Sequence, residues 1–196
     1  MEATKRTVDW ANAICLASDS LCPADLLEEM MSAPECAPFG PVHHYLVGAT
    51  LLACARNAMG TEALPAQLAE LERRSNAVPG GVCAHWGICG AAISCGMALS
   101  VLLGNAPLKP EGWSDAQLMV ADIVEKIAKA GAPRCCKRDS RIAVRVATGW
   151  FNKLLGTDLV LPGGNPACGV SSRNEACLTT GCPYYRSRSL SPLAAS

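Results

Sequence analysis

The chain has 196 residues, half of them hydrophobic, which is enough to bury one core of ordinary size. Seventeen basic residues balance seventeen acidic ones, and a formal charge of zero argues against a general nucleic-acid or membrane-surface binder. Twelve cysteines are many, but below the range of a small disulfide scaffold, and a core of this size needs no staples.

In chain order, Val8–Ala17 reads as a short helix, broken at Cys22-Pro23. The start, MEATKRTVDWANAICLASDS, has no long apolar run and does not read as a signal peptide, so a reducing cytoplasm is the expected compartment. Ala24–Ser32 is a second helix. Ala33–Pro41, with three prolines and a glycine, is a connector. Val42–Ala58 has helical apolar spacing and carries His43 and His44 in its first turn. Thr61–Ser75 is a surface helix with Thr61 as N-cap and Leu64, Leu68 and Leu71 inward.

Val78–Gly90 is an irregular glycine-rich loop leading to a buried helix, Gly90–Leu103. That apolar run, GAAISCGMALSVLLG, is short for a membrane span, and no transmembrane segment is expected. Ser114 caps a helix over Asp115–Ala130. Gly131–Arg138 is a loop, and Asp139 or Ser140 caps a helix over Arg141–Leu155. Asp158–Leu161 can form a short strand. The stretch Pro162–Tyr185 lacks periodicity and must be held by other parts of the chain, its cysteines first among them. Residues 186–196 read as disordered. The expected fold is all-α, a single domain over residues 1–185 with a cysteine-rich tail folded back on the helices.

Cys15, Cys54 and Cys95 lie in apolar helical stretches and read as packing residues. Cys22 and Cys36 sit in connectors and stay undecided. The other seven, Cys83, Cys89, Cys135, Cys136, Cys168, Cys177 and Cys182, lie in loops and are expected to meet as metal ligands. Several precede helices, where free N–H groups and the helix dipole favour thiolate over thiol. Arg134, Lys137 and Arg138 flank the adjacent pair; they are either a solvated loop or a means of compensating charge and capturing an anion. His43, His44 and His85 are the candidate proton donors, with Arg134 beside them. Trp86 reads as a shield.

The spacings are Cys-x5-Cys, Cys-Cys and Cys-x8-Cys-x4-Cys-Pro, with none of the Cys-x2-Cys knuckles typical of zinc. An iron–sulfur cluster, of the four-iron cubane type, is the first expectation. Zinc and metal-free thiol chemistry remain the alternatives. No phosphate loop, dinucleotide fingerprint or nucleophile elbow is present.

The motifs GPVHHYLV, VPGGVCAHWGICGAA, GAPRCCKRDS and CGVSSRNEACLTTGCP, in this order, resemble a family of cysteine-rich domains of unknown function. That family occurs in anaerobic bacteria and archaea, sometimes linked to methyltransferase or radical S-adenosylmethionine modules. The resemblance covers about Ala24 to Tyr185, including the two adjacent histidines and all seven loop cysteines. It implies an anaerobe's metal-binding domain and supplies no reaction. The expected function is therefore an iron–sulfur protein, with an open cluster iron serving sulfur transfer or redox chemistry on a small anionic or sulfur-containing substrate. A docking domain for a methyltransferase or radical enzyme, and a zinc-stabilised structural domain, are the other readings.

Overall fold

A computed structural model describes residues 7–185. The expected disordered tail, 186–196, lies outside them. Eight helices carry the fold: α1 (Asp9–Ala17), α2 (Pro23–Ser32), α3 (His43–Met59), α4 (Leu64–Asn76), α5 (Val82–His85), α6 (Gly90–Leu103), α7 (Trp113–Lys129) and α8 (Cys136–Leu155). There is no strand among the described residues, so the fold is all-α as expected.

Helix α3 is the axis. Every residue from His43 to Ala55 is buried, which suits a helix that is apolar or small on all sides. It packs against α1, α2, α4, α6 and α8. Its closest approach is to α6, where the Gly48 N–H donates to Ser94 Oγ at 2.8 Å. A Cβ at Gly48 would stand 2.8 Å from the Ser94 carbonyl oxygen and 3.0 Å from Leu71 Cδ1. Backbone cannot yield as a side-chain tip can. Gly48→Ala is expected to cost about 1–3 kcal/mol, read as a lower urea midpoint. An unchanged midpoint would mean that α3 and α6 separate freely.

Several boundaries differ from the sequence reading. Helix α8 begins at Cys136, not Arg141, so Cys136, Lys137 and Arg138 lie in its first turn and not in a loop. Lys137 and Arg138 are buried, which removes the solvated-loop reading for both. Asp139 does not cap the helix from outside. It sits in the first turn and its Oδ2 accepts from the Cys135 N–H at 3.3 Å. Helices α4 and α7 start at Leu64 and Trp113 without side-chain caps from Thr61 or Ser114. A single helical turn, α5, interrupts the Val78–Gly90 loop. Asp158–Leu161 forms no strand: Val160 N–H donates to the Leu21 carbonyl at 2.8 Å, and the Leu159 backbone bonds to the Asn152 side chain.

Residues 162–185 hold two short 3-10 turns, Ser171–Arg173 and Thr179–Gly181. Side chains of α8 fasten the ends of this segment. Arg145 donates to the carbonyls of Pro162 and Gly164, and the Arg141 guanidinium lies 5.1 Å from the centre of the buried Tyr184 ring. The Cys168 N–H donates to the Tyr184 carbonyl at 2.8 Å and closes the segment on itself.

Candidate metal centre

The start of α8 divides the loop cysteines. Cys135 is the N-cap residue of α8, with extended backbone. It lines one cavity together with Cys168, Cys177 and Cys182, and with Arg141 and Tyr184. Four of the seven expected ligands thus face a common space from three separate stretches of chain. All four are half-buried. The Thr179 N–H donates to Cys177 Sγ at 3.4 Å. The cavity is small, about 20 Å³, roughly the room one water needs. Among the described residues no three His, Cys, Asp or Glu side chains stand at metal-holding spacing. The four sulfurs ring the space without closing on a point.

Cys136 turns elsewhere, one residue further along the helix. Its Sγ receives the Gly40 N–H at 3.4 Å and Arg134 Nη1 at 3.4 Å. Gly40 is also the partner of His43, whose Nδ1 lies 3.0 Å from the Gly40 carbonyl. Cys89 is the N-cap residue of α6. The His44 ring is pressed against Gly90, where a Cβ would fall 2.1 Å from its Cδ2, so glycine is required beside Cys89. The starts of α3, α6 and α8 therefore do converge, but around Cys89, Cys136, His43 and His44 and not around the four-cysteine cavity.

Helix starts were expected to keep these sulfurs as thiolates. Burial overrules that at Cys89 and Cys135. It pushes the Cys89 thiol up to about 12, with Asp139 adding to the effect, against the pull of the Ala91 and Ala92 N–H groups. Burial also raises the Cys135 thiol, against the N–H groups of Arg138 and Lys137. Without a metal both are neutral thiols, and metal binding at Cys135 must expel a proton.

Of the other expected site residues, Cys83 is half-buried in α5 and lines neither group. His85 and Arg134 are exposed, and Trp86 is 62% exposed, so it shields little. His43 is 1% exposed. With Nδ1 donating to Gly40, its Nε2 is a buried lone pair without a hydrogen-bond partner among the described residues. Burial, then the positive charges of Lys137 and Arg141 and the neighbouring His44, push its pKa down to about 3. The unfolded chain takes up that proton near 6.5 and the folded one does not. Stability from this residue is complete above pH 6.5 and falls as pH drops from 6.5 towards 3, by at most about 1.4 kcal/mol per pH unit. The change in urea midpoint between pH 7 and 5 is expected to shrink in His43→Asn. An equal change in both proteins would show that His43 is protonated when folded.

Two features escaped the sequence reading. Glu28 of α2 holds Arg141 with paired bonds of 2.6 and 2.7 Å, beside the four-cysteine cavity. Lys137 Nζ, 2% exposed, donates to the Met31 carbonyl at 2.8 Å and to Cys36 Sγ at 3.3 Å. The signal for an earlier helix start was there: Lys137, Arg141, Val144, Thr148 and Phe151 follow helical spacing. Charge at its first two positions disguised it.

The chain belongs to a family of unknown function (DUF5714), which it matches over residues 11–185. No curated protein and no solved structure matches it.

Proposed function

We propose that this member of the family is a thiolate metal protein in which Cys135, Cys168, Cys177 and Cys182 hold an iron–sulfur cluster. The observation that supports it is their common cavity, reached by Cys135 from the α8 start, by Cys168 from before the first 3-10 turn, and by Cys177 and Cys182 from either side of the second. Four thiolates are the ligand set of a cubane. The donor set fits the group. The small cavity requires the two 3-10 turns to give way, and they are tied mainly by local bonds. Such a cluster would supply electron transfer, or a Lewis-acidic iron if one thiolate is displaced. What this chain adds is a guanidinium held in place by Glu28: Arg141 lines the cavity and is within hydrogen-bond reach of Cys168.

A second reading is favoured by the cavity size alone. About 20 Å³ suits one tetrahedral ion such as zinc, with four sulfurs and no open position. That would be a structural or docking centre.

All twelve cysteines are unpaired, which supports placing the protein in a reducing compartment, the cytoplasm. No helix among the described residues is long and apolar enough to cross a membrane. The motif resemblance supports anaerobic metabolism as the setting, with a methyltransferase or a radical S-adenosylmethionine enzyme as neighbour. Iron, zinc and acid-labile sulfide are to be measured on protein purified without oxygen. About four irons and four sulfides per chain are expected. Zinc without sulfide would replace the first reading by the second.

A further inference from the structure

A second cavity, of about 380 Å³, shares Arg141 with the first. Its walls come from the end of α2 and the connector after it, the first turn of α8, and residues 167–173. Three cationic side chains line it, Lys137, Arg141 and Arg173, against one carboxylate, Glu28. Glu28 is already paired with Arg141. Among the described residues neither Lys137 nor Arg173 has a carboxylate within ion-pair distance. Two positive charges are thus left facing one space, and one belongs to a side chain that is 2% exposed. Burying an ammonium without a counter-charge is costly.

Closing the end of α2 does not account for it. A lysine that only caps the Met31 carbonyl can keep its head in water. Lys137 instead takes Cys36 Sγ as a second partner, and the third N–H of its ammonium has no acceptor among the described residues.

We infer that this cavity binds a small molecule through an oxyanion, a phosphate or carboxylate group, held between Lys137 and Arg173 with Cys36 Sγ beside it. The inference rests on the cavity's own residues and holds whichever metal the four-cysteine centre takes. Arg141 and Val170 line both cavities, so the bound molecule would lie next to that centre.

Cys36 provides the test, because it lines the cavity and is none of the four ligands. The full chain is treated with iodoacetate or with iodoacetamide, and modification of the Cys36 and Cys83 peptides is followed by mass spectrometry. Relative to glutathione in the same solution, Cys36 is expected to prefer the anionic reagent about tenfold, because a cationic cleft concentrates it. Cys83 should show no preference. Lys137→Gln and Arg173→Gln should each reduce the preference; Arg173 is exposed, so its replacement does not threaten the fold. Inorganic phosphate and succinate are then compared as competitors, and the one that slows iodoacetate at lower concentration names the group. A Cys36 that behaves like glutathione, reacts with neither reagent, or is slowed by neither competitor overturns the inference. Metal is measured on the same samples. Preference without metal would sink the centre and leave the cavity; metal without preference would do the reverse.

Discussion

Replacing Cys135 with serine is expected to abolish metal binding, and replacing Cys136 to leave it intact. The two are neighbours in sequence and share the same flanking charges. They differ in where the first turn of α8 sends them. Cys135, before the helix, lines the cavity with Cys168, Cys177 and Cys182. Cys136, inside it, is taken by Gly40 and Arg134. A serine oxygen at Cys135 is a poor ligand for soft iron or zinc at neutral pH. Losing one of four ligands should cost more than the roughly 10–100-fold typical of an outer-shell change. Cys168→Ser, Cys177→Ser and Cys182→Ser should behave like Cys135→Ser, and Cys54→Ala, wholly buried in the core, like Cys136→Ser. Metal content after gel filtration reads the difference. Full retention in Cys135→Ser, or loss in Cys136→Ser, would redraw the site around the α3–α6–α8 junction.

The largest stability effect outside the core is expected at Glu28. Its pair with Arg141 joins α2 to α8, and the same guanidinium carries Tyr184 and with it the 162–185 segment. The Arg141 side chain is 7% exposed and that of Glu28 is 25%. Removing only the carboxylate strands a buried cation, which costs about 3–5 kcal/mol in a dry interior. Partial exposure of Glu28 brings this to about 2–3 kcal/mol. Glu28→Ala should therefore lower the urea midpoint, with Tyr184 becoming more exposed. Replacing both partners by methionine should recover most of the loss, because no charge is then stranded. A Glu28→Ala protein as stable as the parent would mean that Arg141 finds water instead.

Much of the fold was legible because its helices follow ordinary apolar spacing. Leu64, Leu68 and Leu71 point inward as their period requires, and the small-residue run Gly90–Leu103 is the buried helix it resembles. The misplaced start of α8 has a physical cause. Pattern reading treats Lys137, Arg138 and Arg141 as solvent-seeking, whereas here each is buried against a specific acceptor: Met31 and Cys36, Asp139, and Glu28. Those partners lie up to 113 residues away in sequence, beyond any local pattern. Spacing did mark Cys168, Cys177 and Cys182 as a group. It could not separate Cys135 from Cys136, because one residue along a helix turns a side chain by about 100°. Nor could it show that burial at Cys89 outweighs the helix start, since burial depends on packing.

The central claim is that four particular cysteines share one metal. It is tested most directly by alkylating the protein as purified without oxygen, and again after chelation, then mapping every cysteine by mass spectrometry. Cys135, Cys168, Cys177 and Cys182 are expected to be protected together in the first sample and modified together in the second, while Cys83 and Cys136 react equally in both. Protection that follows Cys89 and Cys136, or that includes fewer than these four, would contradict it.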